Sequence, residues 1–243
     1  MNILLSNDDG IKSKSLLSLC KALHKEHNVT IVAPKNNMST VAHAVNFHKK
    51  IKIKKIKYPF ADCAYKISGT PCDCVKIANL YLDKKFDLVV SGINLGHNLS
   101  SDILYSGTVS IAIESAFFNV PAIAFSAFSH DNDYNFDYYS NYALKIIDLL
   151  KNKLSKDSVF NVNFPDRNKE IKGIKFAKLG KIVYEDKAIK LSKNKIIITG
   201  KELDELNDSN NDYHFVKDGY ITITPLLYDK TDYETLENLE KIL

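Results

Sequence analysis

Short apolar runs alternate with stretches of helical period over roughly the first 165 residues, and this alternation leaves the chain very few architectures. Residues 3–5 (Ile-Leu-Leu), "VTIVAP" at 29–34, "FDLVVSG" at 86–92, "VPAIAFSAF" at 120–128 and "VFNVNFP" at 159–165 are short, rich in β-branched or aromatic residues, and closed by glycine or proline in several cases. They read as buried strands. Between them, residues 13–27 put Leu16, Leu19, Cys20 and Leu23 at helical spacing. "SGTPCDCVKIANLYL" starts a helix with Thr70 as cap and Pro71 in the first position, and "SGTVSIAIESAFF" and residues 135–151 supply two more. Strands alternating with helices of 10 to 15 residues predict an α/β fold: a mostly parallel sheet covered on both faces. Ligands of such sheets bind at the carboxyl ends of the strands. Three polar loops begin there, after Ser6, after Pro34 and after Gly92.

Two segments read differently. "HKKIKIKKIK" at 48–57 alternates Ile with Lys and predicts a strand with one wet, basic face. From about residue 166 the runs shorten and turn residues multiply, which predicts hairpins, then a strand at "DGYITITPLL" and a terminal helix. The chain of 243 residues is therefore read as one domain, 1–243, in which about 166–243 forms an appendage serving as an oligomerisation arm.

Composition narrows the function classes. The net charge is +4 and the lysines are interleaved with acids, which suits solvated faces and argues against a stable nucleic-acid complex. Four cysteines are too few for a disulfide framework, and Cys72 and Cys74 lack the two-pair spacing of a zinc site, so packed thiols are expected. Neither a secretion signal nor an apolar run of membrane length is seen, so the expected setting is the cytoplasm, with no membrane partner.

The chemistry starts at "NILLSNDDGI", where Asp8 and Asp9 end the first strand. Adjacent strand side chains face opposite ways, so both carboxylates meet one point only if the chain bends, as Gly10 permits. Paired carboxylates are stabilised by a divalent ion, and hard oxygen ligands favour Mg²⁺, Mn²⁺ or Ca²⁺. Asn94 in "SGINLGHNLSSDILYSGT" offers a neutral oxygen, and Gly92 and Gly96 are expected to let backbone approach a ligand. The amides of Ser106, Gly107 and Thr108 open a helix and are expected to stand bare as an anion site. Ser39, in "PKNNMST", should lie beside them. Asp8, Asp9, Ser39 and Asn94 around one cation, with a phosphate resting on 106–108, is chemistry for hydrolysing phosphate monoesters.

The ordered stretches "ILLSNDDGI", "VAPKNNMS", "SGTPCDCV", "DLVVSGINLGHN", "YSGTV" and "DGYITITPL", from residue 3 to about 227, resemble the SurE family of survival proteins. That resemblance implies a Rossmann-like α/β core and a C-terminal hairpin and helix exchanged between subunits of a homodimer or homotetramer. It implies a 5′/3′-nucleotidase acting on nucleoside monophosphates, with short polyphosphate as a side substrate. It also implies one Mg²⁺ or Mn²⁺ per subunit on Asp8, Asp9, Ser39 and Asn94, and phosphate contacts at Asn98 and Ser106 to Thr108. Asp8 is expected to be the catalytic base or orienting carboxylate, with Asp9 beside it. Thr40 and His97 depart from the family's usual Gly and small residue, and "SIAIES" at 110–115 replaces a more Gly/Ala-rich run; His97 is read as pocket lining rather than a general acid. A receiver domain would need a phosphoacceptor Asp after the third strand, where this chain offers Asn94 or Ser68. A dinucleotide oxidoreductase would need more glycines than "SNDDGIKSKS" holds. A catalytically dead scaffold would have no need of all four ligands.

Overall fold

The computed structural model describes residues 1–129, 135–203 and 209–242. The expected alternation is present. β1 (Asn2–Ser6) leads through α1 (Lys14–Leu23) to β2 (Asn28–Pro34), and β3 (Ile53–Ile56), β4 (Cys63–Ile67) and α2 (Pro71–Leu80) come after it. Next are β5 (Leu88–Leu95), a 3₁₀ turn (Ser100–Tyr105), α3 (Gly107–Ala116), β6 (Ala122–Ala127), α4 (Phe136–Leu150) and β7 (Val159–Phe164). The remainder holds β8 (Gly173–Phe176), β9 (Val183–Ser192), β10 (Lys195–Leu203), α5 (Asp212–Lys217), β11 (Tyr220–Leu226) and α6 (Tyr233–Glu240).

Among the described residues the main sheet runs β3-β4-β2-β1-β5-β6-β7-β11-β8. From β4 to β7 every neighbour is parallel, while β3 and β11 join antiparallel at the flanks. Strand alternation splits the core in two. Ile3 and Leu5 of β1 face Leu16, Leu19 and Leu23 of α1 and Ile146 and Ile147 of α4. Leu4, between them, faces the other way, with Val75 and Ala78 of α2 and Val109 and Ala112 of α3. Each such Leu or Ile contributes about 1.5–3 kcal/mol by burial. Strands wet on neither face read as unbroken apolar runs, which makes them legible in the sequence. The capping box of Thr70 and Asp73, with Pro71 next, starts α2 where the sequence predicts.

The chain crosses from β1 to β2 and β4 on one side, then returns to lay β5 on the other side of β1. The crevice at the carboxyl ends of β1 and β5 is thus a topological switch point.

Three expectations change. Of the basic segment 48–57 only Ile53–Ile56 forms a strand, with His48 at φ 62° turning the chain before it; Lys54 and Lys55 then dress an open sheet edge. The segment after 166 is not all appendage. Ile221 and Ile223 of β11 complete the core beneath α4, and β8 pairs with β11, so only the β9–β10 hairpin stands outside the main sheet. Gly92 serves packing rather than a ligand: a Cβ there would lie 2.3 Å from the Phe125 carbonyl oxygen of β6.

Candidate active site

The acidic pair sits in a turn closed by Asn7. Its side chain accepts from the Gly10 amide at 3.1 Å and donates to the Gly10 carbonyl at 3.2 Å. Gly10 takes φ 94°, the bend that carries the chain off the strand. The Asp8 carboxylate is nearly buried and lies on the N-terminus of α3: the Thr108 hydroxyl donates to it at 2.5 Å, and the nearby Gly107 and Thr108 backbone favours its charged form. Only glycine fits at 107, because a Cβ there would come within 2.8 Å of the Asp8 Cβ. Burial pushes the Asp8 carboxyl above its ordinary range, and these donors offset part of that push. Asp9 goes further. Burial first, and the Asp8 charge second, raise it to about 7 against the pull of the Leu95 amide. Its Oδ2 is buried without a hydrogen-bond partner.

The second loop is tied to the first by the Met38 amide, which donates to the Asp8 carbonyl at 2.7 Å. Ser39 donates its amide and its hydroxyl to Asn37 Oδ1 at 2.7 and 2.6 Å, which leaves the hydroxyl lone pairs available. In the third loop Asn94 donates Nδ2 to the Gly96 carbonyl at 3.0 Å, so Oδ1 is the atom it offers. Asn98 is gripped from β6 and β7. Its amide donates to Asn163 Oδ1 at 2.8 Å and its Nδ2 to Ser126 Oγ at 2.7 Å, while its carbonyl accepts from Asn161 and Asn163. His97 donates Nε2 to the Phe164 carbonyl at 2.8 Å, with its ring centroid 5.4 Å from that of Phe128.

A cavity of about 600 Å³ joins these groups, its wall including Asp8, Ser39, Asn94, His97, Asn98 and Ser106. The structure therefore brings together most of the sequence-predicted residues; Asp9, Gly107 and Thr108 stand behind the wall. The start of α3 is crowded: the Asp8 carboxylate lies against Gly107 and accepts from the Thr108 hydroxyl at 2.5 Å, the Ser106 amide donates to the Ile103 carbonyl at 3.3 Å, and the Ser106 hydroxyl caps the Val109 amide at 3.1 Å. Sequence reasoning passes over Asn7, Ser126, Asn161 and Asn163. Asn161 and Asn163 do carry a signal, as polar residues at period two in an otherwise apolar strand.

A second cluster lies on the same side of the sheet. Glu114 is seven residues along α3 from Gly107, roughly 10 Å at helical rise. It is 3% exposed; His43 Nε2 lies 2.6 Å from Oε2 and Lys76 Nζ 2.6 Å from Oε1. Burial works to raise this carboxyl, but His43 and Lys76 outweigh it and hold it below its ordinary value. The buried Cys72 thiol completes the group: one ligand atom each from His43, Cys72 and Glu114 lie within 4.8 Å of one another.

A parallel sheet covered on both faces, with an acidic, oxygen-rich cavity at its switch point, defines a Rossmann-like α/β protein with its ligand site between β1 and β5. This chain belongs to the SurE family: the family model described as "Survival protein SurE" matches residues 3–186. It is 40% identical over 250 residues to a 5'-nucleotidase SurE of Clostridium beijerinckii, and 42% identical over 252 residues to one of Clostridium botulinum (strain Loch Maree / Type A3). Each match covers 100% of this chain and 99% of the relative. The crystal structure of a SurE protein from Aquifex aeolicus superposes with a TM-score of 0.86 at 35% identity, covering 100% of this chain and 99% of that one. No helix among the described residues is long and apolar enough to cross a membrane.

Proposed function

We propose that this chain is a divalent-metal-dependent phosphatase acting chiefly on nucleoside 5′- and 3′-monophosphates, with short polyphosphate as a further substrate. Relatives named 5'-nucleotidase SurE at about 40% identity support the substrate class. The observation that carries the metal is Asp9: a half-buried carboxylate beside another, its Oδ2 buried without a partner among the described residues and its carboxyl raised to about 7. Such a pair is poorly tolerated without a cation between its members. The donor set fits Mg²⁺ or Mn²⁺, with two carboxylates and neutral oxygens from Ser39 and Asn94.

When bound, the ion polarises a phosphoryl oxygen and makes water more acidic. The chain does the rest. Asp8, held by the Thr108 hydroxyl, is the orienting carboxylate for the attacking water and its proton acceptor. Asn98 keeps one Nδ2 proton after bonding Ser126, and this proton points the residue toward a phosphoryl oxygen. Ser106 stands beside it in the cavity wall, and the Gly107 and Thr108 amides at the start of α3 are the backbone donors offered to the phosphate. His97 lines the cavity with Nε2 committed to a carbonyl, so it shapes the substrate site and is not the general acid.

The β9–β10 hairpin and α6 expose Ile189, Leu191, Ile196, Ile198, Leu236 and Leu239, an apolar surface suited to exchange between subunits of a homodimer or homotetramer. Four unpaired cysteines suit a reducing cytoplasm. We take the whole chain, 1–243, as one functional domain with no nucleic-acid or membrane partner. The deciding assay is phosphate release from a panel of 5′- and 3′-monophosphates and tripolyphosphate, with and without Mg²⁺ or Mn²⁺. Metal-stimulated release, lost in Asp9→Ala, is the expected result. Folded protein that releases no phosphate from any of them overturns the proposal.

A further inference from the structure

We infer that His43, Cys72 and Glu114 form a second metal site, separate from the acidic pair and selective for a borderline-soft divalent cation, with Zn²⁺ the fitting ion. Among the described residues this is the one group of three His, Cys, Asp or Glu side chains whose ligand atoms converge, all within 4.8 Å of one another. Ligands of a tetrahedral Zn²⁺ at 2.0–2.3 Å stand about 3.5 Å apart, so closing the site asks for shifts of about 1 Å. One imidazole nitrogen, one thiolate and one carboxylate oxygen are a zinc donor set with a fourth position open, whereas the oxygen-only set at Asp8 and Asp9 selects a harder ion.

Local structure supplies the three ligands from three elements. Cys72 is the second residue of α2, and burial with the Glu114 and Asp73 charges pushes its thiol up, so the metal itself must draw the proton off. The Glu114 carboxylate already meets the other ligand, with His43 Nε2 on one oxygen and Lys76 Nζ on the other. On filling, the ion takes the place of the proton on Nε2, leaving the imidazole proton on Nδ1, and the thiol proton goes to solvent. Lys76 need not leave: its ammonium also rests 5.7 and 5.6 Å from the Phe47 and Phe118 rings. His43 lies four residues beyond Ser39 on the loop that roofs the first site. A metal here therefore staples that loop to α2 and α3.

The test uses the full chain, stripped with a chelator and then held in saturating Mg²⁺ to fill the acidic site. Co²⁺ is titrated in as a probe, and thiolate-to-cobalt absorption in the near ultraviolet is recorded. A band that saturates at one Co²⁺ per chain and vanishes on adding Zn²⁺ is expected. Cys72→Ser should lose the band entirely while keeping Mg²⁺-dependent phosphate release, and His43→Ala should weaken Co²⁺ binding. The inference is overturned by a folded wild type without a band. It is equally overturned by a band that survives in Cys72→Ser, which would place the metal on Cys20, Cys63 or Cys74, or by one whose affinity is the same in His43→Ala and Glu114→Gln. Circular dichroism separates unfolding from loss of ligands.

Discussion

Helix α3 carries two buried acidic sites along its length, and they solve the same problem differently. At its start, Asp8 and Asp9 have a hydroxyl donor but, among the described residues, no protein cation beside them, and both carboxyls are raised. Farther along, Glu114 is as deeply buried as Asp8, yet it is lowered because His43 and Lys76 supply positive charge. Desolvation is the leading cause in each case, so the difference is one of counter-charge. A buried carboxylate that the protein leaves uncompensated is a place kept for something else. One that it compensates holds the structure together even without a metal.

The largest expected effect is catalytic and belongs to the first site alone. Asp8→Asn keeps the shape and the Thr108 contact but removes a charge, and kcat should fall by about 10³-fold or more with the fold intact. Steady-state kinetics with saturating Mn²⁺, beside a thermal melt, checks both halves. Normal turnover in this variant removes Asp8 from the mechanism.

Stability should move in opposite directions at the two sites. In metal-free protein at about pH 8, Glu114→Gln strands His43 and Lys76 and should cost about 2 kcal/mol, less than for a fully buried pair because both partners reach solvent. Asp9→Asn relieves like-charge crowding and should stabilise the metal-free chain by about 1 kcal/mol, a figure cut down because Asp9 is partly solvated. Adding Mn²⁺ should reverse the second result, since only the wild type gains from the ion. Urea unfolding with and without metal reads all four values. The same sign for both variants in metal-free protein would erase the distinction between the sites.

The pH dependence sharpens the comparison further. Asp9 ionises near 3.8 as a free side chain and near 7 in the fold. The fold holds this proton more tightly, so the group favours folding below about pH 4, and that advantage is lost as pH rises through about 7. A cation must displace the proton below that point. Mn²⁺ affinity should therefore fall about tenfold per pH unit below about pH 7 and level off above it. Calorimetric titration between about pH 5 and pH 8 measures the slope, and a flat profile would mean that Asp9 is already ionised in the free protein.

Much of the first site is legible in the sequence because its parts are local. A strand buried on both faces is an unbroken apolar run, and the polar residues at its carboxyl end must lie at the sheet edge; Asp8, Asp9 and Asn94 are read this way, and Ser106 from the helix start in "YSGTV". The illegible parts depend on partners remote in sequence. Nothing near Gly107 and Thr108 in sequence reveals that Asp8, about a hundred residues earlier, lies against the start of α3 and accepts from the Thr108 hydroxyl. β4 escapes notice because its half-buried pattern is neither a clean alternation nor a solid run. β8 and β11 look like an appendage because the antiparallel pairing of β11 with β7, and the parallel pairing of β8 with β11, leave no mark in any one strand alone. The second cluster gathers one residue each from a loop, α2 and α3, and C-x-C spacing at Cys72 points away from metal.

The smallest predicted effect tests whether the start of α3 is built for structure or for ligand. Ser106 Oγ accepts from the Val109 amide at 3.1 Å as the helix cap, while the same residue lines the cavity. As a cap alone, Ser106→Ala should cost about 1 kcal/mol of stability and leave KM unchanged. As a phosphate contact it should also raise KM several-fold. Ser106→Gly separates the two roles, because glycine at a cap costs only a few tenths of a kcal/mol while removing the hydroxyl completely. A KM that rises equally in both variants, with stability lost mainly in the alanine one, assigns the hydroxyl to the substrate. A KM that stays level in both leaves α3 an anchor for Asp8 and moves phosphate recognition to Asn98 and the metal.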